Sequence, residues 1–418
     1  MEKLYILGGR ELHGEVDIVT AKNSLLPILA CGLLTERVIV LHKVAMFTDV
    51  GYMVKILESL GCSVKIEGDD LIVDTTLADK YEIREEFTKK IRSSIFMLGP
   101  LLSRFRKAKV AYPGGCNIGN RPIDLHIKGL KGLNVKIEEK HGYIYCDGSN
   151  MRAGNVHLDF PSVGATENIM MASVKLKGTT TIYNCAREPE IEDLQNFINS
   201  CGGKVSGAGS SVITITGVEH FYSTEYQPIS DRIVAGTYMI ACAMCGGNIE
   251  LKNCEKIHNL ALLDKLKSSG MTIKSRHDIL NIVMKSKPKS ISNIVTQPYP
   301  GFPTDLQSQI LALQTISKGT SMIVENLYES RYKICNELVK MGAKIRINDR
   351  MAIVHGVPRL YGANVTATDL RGGAGLVLAG LTAEGYTTVE DIYHIDRGYL
   401  SIEDDFCKLG AEIKRINQ

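Results

Sequence analysis

The chain has 418 residues, 44% hydrophobic and 23% charged, and its 49 Lys and Arg barely exceed its 46 Asp and Glu. This is the composition of an ordinary soluble globular protein, and the length suits two domains of about 200 residues each. The near-balance of charge excludes a general nucleic-acid binder, so any basic residues that matter act locally.

In chain order, Leu4-Tyr5-Ile6-Leu7 reads as a short strand ahead of Gly8-Gly9, with no leader-peptide pattern. The apolar run from Leu25 to Leu34 contains Pro27 and is far too short to span a bilayer. A cytoplasmic protein with no membrane or nucleic-acid partner is expected.

The chain then repeats itself. Gly-x-x-[Val/Ile] follows an amphipathic helix at Gly61, Gly132, Gly202, Gly270, Gly342 and Gly410, at intervals of 68 to 72 residues. Glycine there can take the left-handed conformation that closes a helix, and strand-like runs such as Leu71-Ile72-Val73 come next. About 30 residues earlier in each unit another helix starts, near Lys22, Arg92, Gly164, Arg232, Asp305 and Arg371. A short strand such as Thr180-Thr181-Ile182-Tyr183 follows each of these. The unit is β-α-β-α-β-β, built six times. Runs such as Ile233 to Ala241 are apolar all round, which predicts helices inside and sheets outside. The sixth unit runs out before its last strand, and Leu4 to Leu7 can supply it. Both termini then join the second domain, and the chain crosses between domains near Val19-Thr20-Ala21 and near Gln227 to Ser230.

Eleven cysteines are scattered along the chain, an odd count that suits reduced thiols better than a disulfide framework. Cys242 and Cys245 form a C-x-x-C, but the surrounding Thr237 to Met244 reads as a packed helix face rather than a metal site. No other group has metal-ligand spacing, so neither metal nor cofactor is expected.

Residues 113–126 hold the densest chemistry. Cys116 follows two glycines and precedes Gly119, and Arg121-Pro122 leads into a helix opened by Asp124-Leu125-His126. A thiol on such a loop beside a cation can act as nucleophile or acid; these residues alone equally allow a free cysteine in a glycine turn. Lys22, Arg92 and Arg371 stand at helix starts, with Arg232 a fourth candidate. Cations there reinforce anion binding by the helix N-terminus, unless each pairs with a neighbouring carboxylate such as Asp231 or Asp369. Their recurrence at equivalent repeat positions favours a shared anionic cleft between the domains. Arg371-Gly372-Gly373-Ala374-Gly375 is a weak phosphate-loop signal, and close helix packing explains its small residues at least as well.

The cysteine stretch, with Ala21-Lys22-Asn23-Ser24, Arg92-Ser93-Ser94, Ser162 to Asn168, Arg187-Glu188-Pro189-Glu190, Phe302-Pro303-Thr304-Asp305, Asp369-Leu370-Arg371 and His394 to Gly398, resembles the UDP-N-acetylglucosamine 1-carboxyvinyltransferase family. Those enolpyruvyl transferases begin peptidoglycan precursor synthesis, and the resemblance covers essentially the whole chain. It implies an α/β fold, a two-domain inside-out α/β barrel of six β-α-β-α-β-β repeats. Residues 22–229, including a cysteine loop at 111–122, would form the first domain, and residues 1–21 with 230–418 the second.

The resemblance also implies roles. Phosphoenolpyruvate would be held by Lys22, Asn23, Arg121, Arg371 and Arg397, and UDP-N-acetylglucosamine by Arg92, Arg121, Pro122, Ile123, Asp124, Leu125, Ser162, Val163, Gly164, Asp305 and Leu327. Cys116 would be the general acid and covalent partner, Asp305 the base at the sugar 3-hydroxyl, and Asp369 a wall residue. One departure stands out: some members carry a basic residue at the position of Phe160, so that contact is absent. The rival readings are a 5-enolpyruvylshikimate 3-phosphate synthase-like transferase, which lacks a comparable cysteine loop, and a non-catalytic paralogue with a broken site. The oligomeric state is not legible in the sequence.

Overall fold

The structure is a computed structural model that describes residues 2–114 and 122–417. Among the described residues the strands form six four-stranded sheets, one for each repeat. The third repeat shows the plan without interruption. Strand Asn155–His157 leads into helix Val163–Ser173 and then strand Thr179–Tyr183, which returns parallel to the first with Asn155 opposite Thr181. Helix Pro189–Ser200 leads to the hairpin Lys204–Ser206 and Val212–Thr216, which completes the sheet antiparallel. Strand Thr179–Tyr183 buries Thr180 and Ile182 and turns its alternate residues outward, so one sheet face meets helices and the other meets solvent.

The helices follow from composition. Helix Arg232–Cys245 is buried continuously from Ile233 to Met244, as a helix without a polar face must be. It packs with helices Gln307–Ile316 and Leu370–Thr382, which also pack on each other. Their contact is close enough that a Cβ on Gly375 would lie 3.0 Å from the Ser308 carbonyl oxygen. Helices Leu98–Phe105 and Val163–Ser173 meet in the same way, where a Cβ on Gly99 would lie 2.5 Å from the Asn168 carbonyl oxygen. Cys242 sits inside its helix, its thiol against the Ile282 carbonyl and pushed up to about 12 by burial.

Three sheets borrow a strand from elsewhere in the chain. Strand Glu2–Leu7 lies antiparallel between Tyr386–Glu390 and Glu412–Asn417, completing the sixth sheet. Strand Leu12–Asp17 runs parallel to Gly247–Lys252 in the fourth, and Thr224–Tyr226 parallel to Val38–Leu41 in the first. The chain divides into two compact units, residues 2–19 with 230–417 and residues 20–114 with 122–229. The first boundary therefore lies between Val19 and Thr20, two residues ahead of the expected position. Thr20 donates its hydroxyl to the Lys43 carbonyl, and the Ala21 N–H donates to the Ile229 carbonyl at 2.7 Å, so both residues belong to the unit of residues 20–229. Asp193, on helix Pro189–Ser200, fastens the second crossing by accepting from Ser24 Oγ, from Tyr226 OH at 2.5 Å and from Ile229 N at 3.1 Å. No helix among the described residues is long and apolar enough to cross a membrane.

Two helix starts are tighter than the pattern suggests. Arg92–Met97 and Thr304–Leu306 are 3₁₀ turns that precede helices Leu98–Phe105 and Gln307–Ile316. In the first, the Ser94 hydroxyl bonds the Ile91 carbonyl at 2.9 Å, a local alternative to the helical pattern.

One core group is costly. Glu167, on helix Val163–Ser173, is 0% exposed, and its carboxyl oxygens have no hydrogen-bond partner among the described residues. Burial first, then the charges of Glu190 and Glu188, hold it well above the ordinary value of 4.5. Below that value folded and unfolded chains both carry the proton, so its stability contribution is fully present. As pH rises the unfolded chain ionises while the folded one keeps its proton, and stability is lost until the folded group also ionises. Glu167→Gln is therefore expected to raise the thermal midpoint at pH 7 but not at pH 4. Each pH unit of that window is worth about 1.4 kcal/mol, or about 3–6 °C for a domain of this size. Scanning fluorimetry at both pH values reads it; equal midpoints at pH 7 would show that the carboxyl is accommodated.

Candidate active site

In the unit of residues 20–229, helix Lys22–Gly32 opens with no acidic residue in its first turn and no side-chain cap. The charge at its start is met from elsewhere: Lys22 Nζ donates to Asp49 Oδ2 at 2.9 Å, with Lys22 8% and Asp49 3% exposed. Asp49 lies in the first turn of helix Thr48–Ser59, the second helix of the same repeat. Asn23 beside it is half-buried.

A second group gathers three elements around Asn168. Its Nδ2 donates to the Ile95 carbonyl at 2.9 Å and to His126 Nδ1 at 2.8 Å, and its Oδ1 accepts from Gly99 N at 2.8 Å. With Nδ1 as the acceptor, the neutral His126 ring carries its proton on Nε2. That ring lies against the start of the next helix, where a Cβ on Gly164 would lie 3.0 Å from His126 Cε1 and from Phe96 Cε1. Ser162 caps this helix, its Oγ accepting from Ala165 N at 3.4 Å. The turn that starts at Arg92, the helix Asp124–Gly132 with Pro122, Ile123 and Leu125 at its entrance, and the Ser162-Val163-Gly164 turn are thereby fixed to one amide. Pro122 and Asp124 are exposed, Leu125 is half-buried and Ile123 is buried. Phe160 is 45% exposed, and the preceding Asp159 holds Lys128. Cys116 and Arg121 lie outside the described residues.

In the unit of residues 230–417 the centre is Asp305. Its Oδ1 accepts from Arg331 Nη2 and its Oδ2 from Arg371 Nη2 at 2.9 Å, both guanidinium groups being almost wholly buried. Arg331 Nη1 also lies 3.6 Å from Asp369 Oδ1. Asp369 Oδ1 accepts from Arg371 N at 3.0 Å and Gly372 N at 3.1 Å, which makes Asp369 the cap of helix Leu370–Thr382. Asp231 caps helix Arg232–Cys245 in the same way. The carboxylate that bonds the Arg371 guanidinium is thus Asp305, while its neighbour Asp369 serves the helix backbone. Burial works against the Arg371 charge, and the Asp305 carboxylate overrides it, holding the guanidinium above its ordinary value. Arg371 Nη1 has no partner among the described residues, a donor that a bound anion would satisfy.

Arg397 ends the turn Ile392–Arg397, and its neighbour Asp396 is gripped by both terminal nitrogens of Arg415 at 2.7 and 3.0 Å. Burial and then the Arg397 charge push His394 below its ordinary value. Arg232 stacks its guanidinium 5.5 Å from the Tyr299 ring centroid, beside His258 and Asn259. Leu327 donates its N–H to Glu325 Oε1 at 2.8 Å. Asp49, His126, Glu325 and Arg331 were not singled out from the sequence. His126 alone carried a signal, as the third residue of the helix opening at Asp124.

A family model described as EPSP synthase (3-phosphoshikimate 1-carboxyvinyltransferase) matches residues 6–406. A relative from Caldanaerobacter subterraneus, named UDP-N-acetylglucosamine 1-carboxyvinyltransferase 2, is 50% identical over 416 residues, covering all of both chains. One from Carboxydothermus hydrogenoformans, named UDP-N-acetylglucosamine 1-carboxyvinyltransferase 1, is 47% identical over 100% of this chain and 99% of its own. Among solved structures, the enolpyruvyl transferase NikO from Streptomyces tendae has a TM-score of 0.88 at 21% identity, covering 99% of this chain and 98% of its own. EPSP synthase from Acinetobacter baumannii has a TM-score of 0.78 at 16% identity over the whole of both chains, a likeness of fold alone. The chain belongs to the EPSP synthase family of enolpyruvyl transferases, and within it to the UDP-N-acetylglucosamine 1-carboxyvinyltransferase group.

Proposed function

We propose that this chain is a cytoplasmic enzyme that transfers the enolpyruvyl group of phosphoenolpyruvate to the 3-hydroxyl of UDP-N-acetylglucosamine, with release of phosphate. That is the first committed step of peptidoglycan precursor synthesis. The observation that carries the choice of substrates is the 50% identity, over the full length of both chains, to a relative named for this acceptor and reaction.

The chemistry asks for what the two units offer. Addition joins the sugar oxygen to C2 of the enol phosphate, with one proton delivered to its methylene carbon and one taken from the hydroxyl. Cys116 is the acid in this reading and Asp305 the base. The tetrahedral intermediate then expels phosphate and loses a methyl proton, which restores the double bond. Lys22, Asn23, Arg121, Arg371 and Arg397 would receive the phosphate and carboxylate charges, because preorganised cations stabilise charge where it develops. The Asn168-centred group of Arg92, Pro122 to Leu125 and Ser162 to Gly164 would take the nucleotide, with Leu327 and Asp305 on the sugar.

Phosphate release measured with phosphoenolpyruvate and each acceptor tests the reading. Turnover is expected with UDP-N-acetylglucosamine and none with shikimate 3-phosphate; the opposite preference would reverse the assignment. Cys116→Ser should lose most activity and all covalent labelling by the epoxide phosphonate fosfomycin, because a hydroxyl is both a weaker acid and a weaker nucleophile. Intact-mass and peptide analysis that places the label on another cysteine would remove Cys116 from the mechanism.

A further inference from the structure

Glu325 follows strand Thr320–Val324 directly and is 1% exposed. Its carboxylate gathers four hydrogen bonds. Oε1 accepts from the Thr296 hydroxyl at 2.9 Å, the Leu327 N–H at 2.8 Å and the Tyr328 N–H at 3.1 Å. Oε2 accepts from the Thr304 hydroxyl at 2.8 Å.

The donors come from separate pieces of chain. Thr304 opens the turn Thr304–Leu306, whose middle residue is Asp305. Leu327 and Tyr328 lead into the turn Glu329–Lys333, which carries Arg331, the donor to Asp305 Oδ1. Thr296 completes the frame, because its Oγ1 also accepts from Asn326 N at 2.9 Å while its own N–H donates to the Val324 carbonyl at 2.9 Å. One buried side chain thus ties the turn bearing Asp305 to the segment bearing Leu327 and to the entry of the turn bearing Arg331.

We infer that Glu325 is a positioning residue for the acceptor sugar: it fixes the spacing between Asp305 and the Leu327 segment, an assignment that rests on the function proposed above. Glu325 acts through the Thr304 hydroxyl and two backbone N–H groups. Catalysis of this kind is sensitive to its frame, since a displacement of about 1 Å can cost about 100-fold in rate.

Thr304→Val is the sharp test, because it deletes the hydrogen bond from the Asp305 turn to Glu325 and leaves the other three. With phosphoenolpyruvate and UDP-N-acetylglucosamine as substrates, kcat is expected to fall by about 10- to 100-fold. KM for the nucleotide sugar should move by less than about threefold, since an interaction made only in the transition state lowers kcat alone. In an Asp305→Asn background the same substitution should add little, because the group it positions is already disabled. Glu325→Gln keeps the shape and turns one acceptor into a donor, and should lower kcat in the same direction. An unchanged kcat in Thr304→Val, an effect confined to KM, or one that multiplies fully onto Asp305→Asn overturns the assignment. A wild-type chain that releases no phosphate overturns the functional reading itself, and is seen before any variant is made.

Discussion

Asp305→Asn is expected to lower turnover by roughly two to four orders of magnitude, the range for a general acid–base group. The amide keeps the shape of the side chain but presents one acceptor oxygen where the carboxylate presents two. Arg331 and Arg371 bond different oxygens of Asp305, so one guanidinium must face an NH₂ group and lose its acceptor. Both effects act on the same step, because the amide can neither take a proton nor hold the geometry. Nucleotide-sugar affinity should change only a few-fold, since the residues expected on the nucleotide stand on other elements. Steady-state phosphate release and calorimetric binding of UDP-N-acetylglucosamine separate the two quantities. Turnover within a few-fold of wild type would leave Asp305 a structural anchor for two arginines and nothing more.

Lys22→Met is expected to fail twice, in activity and in stability. A preorganised donor at developing charge is worth about 100- to 1000-fold in kcat, so turnover should fall by at least that. Removing the ammonium also takes from Asp49, itself buried, a charged donor at 2.9 Å. Breaking one side of a buried pair typically costs about 3–5 kcal/mol, because the other charge stays buried. Adding Asp49→Asn to the methionine variant removes that charge, so the double variant should recover most of the lost stability and none of the lost activity. Urea unfolding and phosphate release, measured on the same preparations, test both halves. Activity returning with stability would mean that Lys22 serves the fold alone.

What was legible in the sequence was what a periodic pattern or a local signal can carry. Five of the six glycines, Gly61, Gly202, Gly270, Gly342 and Gly410, take the positive φ that closes a helix, whereas Gly132 is still the last residue of helix Asp124–Gly132 and Asn134 takes the left-handed conformation instead. The strand that the sixth unit lacked could be found by counting, since every other unit had its full set. Helix type could not be found so, because a 3₁₀ turn and an α-helix share starting signals, and the starts at Arg92 and Thr304 carry nothing that separates one from the other. Side-chain partners were least legible. Asp369 stands two residues from Arg371 and reads as its ion partner, but that spacing is also the geometry of a helix cap. The pairing of Lys22 with Asp49 joins two helices, and that of Arg331 with Asp305 joins two turns, so neither leaves a local trace. Arg331, between Ser330 and Tyr332, belongs to none of the sequence motifs, yet its side chain is 2% exposed.

The strand at residues 2–7 sets an order of events during synthesis. It leaves the ribosome well before its two neighbours in the sheet, residues 386–390 and 412–417. The unit of residues 20–229 has all its strands in hand long before then, and domains generally fold as units while translation proceeds. Leu4 and Ile6, wholly buried in the folded molecule, must therefore stay in water until residues 386–390 emerge, on a strand with both edges open. An unpaired apolar strand is a template for aggregation. A nascent chain stalled between residues 230 and 385 should accordingly be a better client for a chaperone than one from which residues 386–417 have also emerged.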